Sequence, residues 1–179
     1  LLQISKMEAG LIQINREKLP LMETIIRAVN RVYPNAGAKE IEFVFDYDEA
    51  LENDCILQDK KWLGEAFINV FDNAIKYSPA GSEVYVRIQK RTDFIRIEIE
   101  DNGVGIPKVE YHKIFQRFFR GSLPEVKEEN GSGIGLFLSR KIIEQHGGTI
   151  TVSSNLELKK ELDGKTGSVF IIQLPDNAK

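Results

Sequence analysis

A single cysteine, Cys55, rules out an intrachain disulfide and any zinc site built from several thiolates. Two histidines, His112 and His146, leave little from which to assemble an imidazole metal centre. No apolar run approaches the roughly 20 residues needed to cross a bilayer, and no secretory leader pattern is visible. Neither sign of charge is in large excess: 24 Lys and Arg against 27 Asp and Glu give a net charge of −3. That balance argues against general electrostatic attachment to nucleic acid or to an anionic membrane. What is present, 179 residues with 42% hydrophobic and 28% charged side chains, is the composition of one ordinary globular domain. The chain opens at Leu1 in mid-pattern and without Met, which predicts a piece of a longer protein.

Apolar spacing organises that composition into elements. Leu1, Ile4, Met7 and Leu11 recur at roughly helical spacing around a stop at Gly10. They predict that residues 1–10 end a helix whose body lies upstream, and that residues 11–179 form the domain. Ile12 and Ile14 alternate with polar residues as in a short strand, and Pro20 opens a helix carried by Leu21, Ile25, Ile26 and Val29 to about Asn35. Ile41, Phe43 and Phe45 alternate in a second strand. Asp59 is a credible N-cap for a helix with apolar positions Leu63, Ala66, Phe67, Val70, Phe71 and Ala74, ended by Ser78-Pro79-Ala80-Gly81. Val84, Val86 and Ile88 form a hairpin with Ile95, Ile97 and Ile99, turning at Thr92-Asp93. A long segment from 103 to 135 precedes a helix that Gly147-Gly148 stops, and strands at Ile150–Val152 and Val169–Leu174 flank a polar connector over 155–167. This order predicts α+β layers, helices on one face of a largely antiparallel sheet, and not the regular alternation of a doubly wound fold.

Three features carry chemistry. On the helix after Asp59, Glu65, Asn69, Asn73 and either Lys76 or Tyr77 share one face. Asn is a poor helix former, so two on one stripe read either as a solvated face or as amide oxygens for a hard cation beside a lysine for phosphate. Asp101-Asn102-Gly103-Val104-Gly105-Ile106-Pro107 follows a strand, either as a plain turn or as a carboxylate at the sheet mouth that accepts from an exocyclic amine such as adenine's. Asn130-Gly131-Ser132-Gly133-Ile134-Gly135-Leu136 opens a helix, either as a hinge or as a phosphate cradle at a helix N-terminus. Its spacing matches neither a Walker A loop nor the dinucleotide fingerprint. Between the glycine motifs, Lys108, Lys113, Arg117 and Arg120 interleave with Ile114, Phe115, Phe118 and Phe119. That is the pattern of an amphipathic helix, of a basic lid over phosphates, or of both.

Taken together and in order, FINVFDNAIKYS, DNGVGIP and GSGIGLFLSRKIIEQHGG resemble the N, G1 and G2 boxes of the catalytic and ATP-binding domain of bacterial sensor histidine kinases. IFQRFFR resembles that family's F box, and SKMEAG the end of its dimerisation-domain helix. The resemblance covers about residues 11–175. It implies a two-layer α/β sandwich of the Bergerat type, shared with gyrase, the heat-shock chaperone and MutL. ATP would lie between the N-box helix and a mobile lid over about 108–132. Carried over by position, Asn73 holds Mg²⁺, Asn69 contacts the triphosphate or the waters of the metal, Lys76 reaches the phosphates and Tyr77 packs near the adenosine. Asp101 accepts from adenine, with Gly103 and Gly105 allowing its approach and Ile106 among the cofactor-binding residues. Gly131, Ser132, Gly133 and Gly135 wrap the phosphates, Leu136 lines the pocket, and Arg120 contacts the γ-phosphate. The departures are Asn130 for Gly, Ser132 for Thr, Ile134 for Leu, and the long connector 155–167.

The ATPases of this superfamily place a Glu where this chain has Asn69, and an amide is no general base at neutral pH. Glu65 lies a helical turn further away. The resemblance therefore implies phosphoryl transfer to protein rather than hydrolysis. Asn69, Lys76 and Arg120 would be the catalytic set, with a histidine on an absent upstream domain as acceptor. Neither His112 nor His146 matches the acidic, Ser/Thr-flanked context of a phosphoacceptor. The implied partners are that dimerisation and histidine-phosphotransfer domain, in a homodimer, and a response-regulator receiver domain. No contact with nucleic acid or membrane is expected of this piece, and a cytoplasmic location is implied, with the full-length protein either free or anchored in the inner or plasma membrane. A non-catalytic ATP-sensing module, a superfamily ATPase and an anti-sigma-type serine kinase are the competing readings.

Overall fold

The computed structural model describes residues 13–154 and 166–176. The expected helix tail at 1–10, Ile12, and most of the 155–167 connector lie outside the described residues.

Gln13–Arg16 carries no regular structure, and the first strand forms slightly later than the alternation at Ile14 predicts. Strand β1 (Glu17–Pro20) pairs antiparallel with β3 (Cys55–Gln58), Pro20 opposite Cys55. Helix α1 (Leu21–Ala38) begins directly after Pro20 and runs a turn beyond the predicted end, with Pro34 inside it. Helix α2 (Lys60–Tyr77) begins as expected: Asp59 accepts hydrogen bonds from the backbone N–H groups of Lys61 and Trp62, both at 3.2 Å. Its predicted apolar face, Leu63, Ala66, Phe67, Val70, Phe71 and Ala74, is fully buried.

The main sheet has five strands in the order β2 (Glu42–Tyr47), β4 (Glu83–Lys90), β5 (Phe94–Glu100), β7 (Ser168–Pro175), β6 (Thr149–Ser154). Only β2 and β4 run parallel. Alternation puts Val84, Val86, Ile88, Ile95, Ile97, Ile99, Phe170, Ile172 and Leu174 into the core. The opposite face of β4 and β5 carries ion pairs, Arg87 with Glu100 at 2.5 Å and Arg96 with Glu98 at 2.7 Å. One face is thus apolar and the other wet, as an antiparallel sheet permits. Helix α2 packs against both α1 and α4 (Gly135–Gln145), and all three share a single core with that apolar face.

The segment between the glycine motifs is not one amphipathic helix. It folds as two single 3₁₀ turns, Lys108–Glu110 and Lys113–Phe115, and a five-residue helix α3 (Pro124–Glu128). Pro107, Gly121 and Pro124 interrupt any longer helix, and Phe118 takes a left-handed φ of 63°. Ile114 and Phe115 still reach the core, Phe115 edge-on to Phe170 at 6.4 Å, while Phe118 stays exposed. One end of this segment, called the lid below, is anchored by that aromatic contact.

Candidate nucleotide site

A cleft of about 630 Å³ lies between the polar stripe of α2, the turn after β5 and the lid. Its volume and mixed lining suit a small-molecule ligand with polar and apolar ends. Asn69, Asn73, Lys76, Tyr77, Asp101, Gly105, Ile106, Arg120, Gly131, Ser132, Gly133, Gly135 and Leu136 all line it. Gly103 does not. It lies behind the wall, where a Cβ would come within 2.8 Å of both the Tyr77 carbonyl oxygen and Asp101 Oδ1, so glycine is needed for packing of the turn on the end of α2.

At one end, Asp101 is only 5% exposed. Its Oδ1 accepts from the backbone N–H groups of Gly103 at 2.8 Å and Ser168 at 3.1 Å. Oδ2 accepts from no described residue and is left for a donor in the cleft. Burial pushes the carboxyl up to about 6 against the lowering effect of those two N–H bonds. Around it the chain is closely fitted. A Cβ on Gly167, whose φ is +146°, would lie 1.9 Å from the Asp101 carbonyl oxygen.

Toward the other end, Asn69 and Asn73 line the cleft, and neither amide hydrogen-bonds to a described residue. Gly135 opens the start of α4 against Asn69: a Cβ there would sit 3.4 Å from Asn69 Oδ1. Among the described residues no group of three or more His, Cys, Asp or Glu could hold a metal ion by itself. Neutral amide oxygens suit Mg²⁺ only when phosphates supply the charge, which is how that ion commonly binds. The residues present therefore fit a metal that arrives with a nucleotide, with Asn73 and Asn69 as the amides beside it.

The lid is tied to α2 by Lys76, whose ammonium donates to the Asn130 carbonyl oxygen and lies 5.1 Å from the Tyr77 ring centroid. Gly131 makes room for this, since its Cβ would meet Lys76 Nζ at 2.9 Å. Gly133 has φ +67°, and its carbonyl oxygen accepts from Phe118 N–H at 2.9 Å, joining the glycine loop to the F-box segment. Arg120 borders the cleft, but its Nη2 donates to the carbonyl oxygens of Val126 (2.8 Å) and Glu129 at the end of α3. A phosphate contact by Arg120 requires exchanging those bonds. Glu65 is not among the cleft-lining residues, which leaves no carboxylate in the water-activating place on α2.

His146 is 1% exposed, with Nε2 accepting from Asp59 N–H at 3.0 Å and Nδ1 against the Ile142 carbonyl oxygen at 2.8 Å. It joins the end of α4 to the start of α2, and burial holds it below its usual range. Among the cleft residues that escaped the sequence analysis are Ser168, Glu110 and Lys39. Gly167-Ser168 ahead of an alternating strand was the available signal for the first. Glu110, buried in the first 3₁₀ turn, accepts from Ser122 N–H at 3.1 Å. No local signal marks it.

A family model for histidine kinase-, DNA gyrase B- and HSP90-like ATPases matches residues 58–178. The sensor histidine kinase WalK of Bacillus subtilis is 30% identical over 180 residues, covering 98% of this chain and 27% of WalK. The sensor-like histidine kinase SenX3 of Mycobacterium tuberculosis H37Rv is 34% identical over 183 residues, covering 97% of this chain and 42% of SenX3. This chain thus spans less than half the length of these curated relatives. Among solved structures, the mycobacterial sensor histidine kinase MprB superposes with a TM-score of 0.75 at 32% identity, covering 89% of this chain and 97% of that one. Full-length ShkA in complex with AMPPNP shares the fold, with a TM-score of 0.78 at 22% identity over 97% of this chain and 34% of that one. On the family match and the MprB likeness, the chain belongs to the histidine kinase-, DNA gyrase B- and HSP90-like ATPase family, as a catalytic domain of the sensor histidine kinase kind.

Proposed function

We propose that this domain binds Mg-ATP in the cleft and supplies the γ-phosphate to a histidine on a dimerisation domain preceding it, for relay to a receiver-domain aspartate. One observation carries the reading: a buried carboxylate with one unengaged oxygen at one end of the cleft, and two unengaged amides with a lysine and a glycine loop at the other. Asp101 Oδ2 accepts from the adenine amine, and the N–H groups of Gly103 and Ser168 hold the carboxylate in place for it. Lys76 leaves Asn130 for the phosphates, and the glycine loop that it released closes over them. Mg²⁺, when bound, would offset phosphate charge beside Asn73. Asn69 stands where a general base would be needed for hydrolysis and takes no proton, so transfer rests on positioning and charge neutralisation. His146, with both ring nitrogens engaged inside the core, is no acceptor.

The test compares this chain with a longer protein carrying the preceding helical hairpin, each incubated with γ-labelled ATP and Mg²⁺. Acid-labile, alkali-stable label on the longer protein alone is the expected result. Free phosphate without protein label would establish an ATPase instead, and bound ATP with neither product a non-catalytic sensor.

A further inference from the structure

Lys39 sits in the turn between α1 and β2, outside every motif in the sequence, yet it borders the cleft. Its Nζ donates to three carbonyl oxygens at the end of α2: Ile75 at 2.9 Å, Lys76 at 2.9 Å and Ser78 at 2.8 Å. An ammonium has three N–H donors, and all three are engaged. Lys39 is therefore not a phosphate ligand, although its charge lies beside the site.

The last carbonyls of a helix have no intrahelical partner and form the negative end of its dipole. α2 ends at Tyr77, and Lys76 and Tyr77 occupy that final turn. A cation bonded to the carbonyls of residues 75, 76 and 78 fixes the backbone from which both side chains project. Lys39 is itself held in place. Its N–H donates to the Ala36 carbonyl oxygen at 3.1 Å, and its carbonyl oxygen accepts from Gly81 N–H at 2.9 Å, so its backbone joins the end of α1 to the turn that follows α2. The adenine end has separate support, because Asp101 is oriented by Gly103 and Ser168.

We propose that Lys39 is a positioning residue for the nucleotide site, acting through Lys76 by capping the last turn of the helix that carries it. This rests on the nucleotide reading above. It gives no direct contact to ATP and predicts that removing the ammonium matters only while Lys76 is present.

The experiment is a double-mutant cycle on Mg-ATP affinity, measured by titration of this chain as wild type, Lys39→Met, Lys76→Ala and the double variant, with thermal melts of each. Met keeps the length of the stem and removes the donors. Lys39→Met is expected to weaken Mg-ATP about tenfold, and the double variant to bind no more weakly than Lys76→Ala alone, a coupling of about 1.4 kcal/mol. Equal losses in both backgrounds would show a merely structural role and overturn the proposal, as would unchanged affinity in Lys39→Met. Absence of Mg-ATP binding in the wild type would overturn the nucleotide reading itself, a result visible before any variant is compared. Should Lys39→Met not fold, Lys39→Gln, with a neutral two-donor amide on a shorter stem, replaces it under the same criteria.

Discussion

Asp101 lends itself to a perturbation whose two effects have opposite signs. Asp101→Asn keeps the shape and keeps an oxygen where Gly103 and Ser168 donate, which turns the new NH₂ toward the cleft. Burial raises the carboxyl from 3.8 to about 6 in the folded chain. The folded state then binds more protons than the unfolded state between those values, so the stability that goes with protonation is lost as pH rises through about 6. That rise corresponds to about 3 kcal/mol, the upper limit of what ionised Asp101 costs the fold at pH 7. The neutral amide removes that cost, and a net gain of about 1–3 kcal/mol remains after weaker hydrogen bonds are allowed for. Near pH 4, where the wild-type carboxyl is already protonated, the gain should vanish. Binding moves the other way: an NH₂ facing the adenine amine sets donor against donor and forfeits a charge-assisted hydrogen bond of about 1.5–3 kcal/mol, about ten- to a hundredfold in Kd. A 6-oxopurine such as inosine triphosphate offers an acceptor there and should bind the variant better than ATP does. Urea melts from pH 4 to 8, with ATP and ITP titrations at pH 7.5, measure both effects. A variant less stable than wild type at pH 7, or one with an unchanged preference for ATP, would refute the argument.

The remaining expectations follow from single contacts. Asn73→Ala should melt within a few degrees of wild type, since the amide bonds to no described residue, yet lose Mg²⁺-stimulated ATP binding; the same titration with and without chelator decides it. Gly167→Ala, which would put a Cβ 1.9 Å from the Asp101 carbonyl oxygen, should cost more than about 2 kcal/mol in chemical denaturation and weaken ATP through displacement of Ser168; a neutral effect on both would discredit that packing. His146 is held neutral by burial, so the unfolded chain binds more protons just below its ordinary value of 6.5, and its share of stability is lost as pH falls through the lowered folded value. His146→Gln cannot ionise and should show a flatter loss of stability than wild type below pH 6.5, whereas parallel curves would remove His146 from the acid response.

The readable parts of this chain are those whose cause is local. The buried face of α2 follows from apolar spacing within eighteen residues, and its start from one carboxylate reaching two and three residues ahead. The glycines of the lid were legible for the same reason, because a backbone that approaches its neighbours closely needs glycine in its own sequence. What escaped depends on residues far apart in the chain. β3 is four residues long and exists through pairing with β1, more than thirty positions earlier. The lid's broken path needed Phe118 in a left-handed conformation, held by a carbonyl fifteen residues on. Asp101 shows the division within one side chain. Its place after an alternating strand predicts a carboxylate at the mouth of the sheet. The raised proton affinity arises because β7 arrives beside it, closing it from water and aiming the N–H of Ser168, 67 residues away, at Oδ1. Sequence reading therefore finds the ligand-facing residues of such a site sooner than the ones that set their chemistry. That is why Lys39, which touches only carbonyl oxygens and carries no motif, had to be found by following the donors around the cleft.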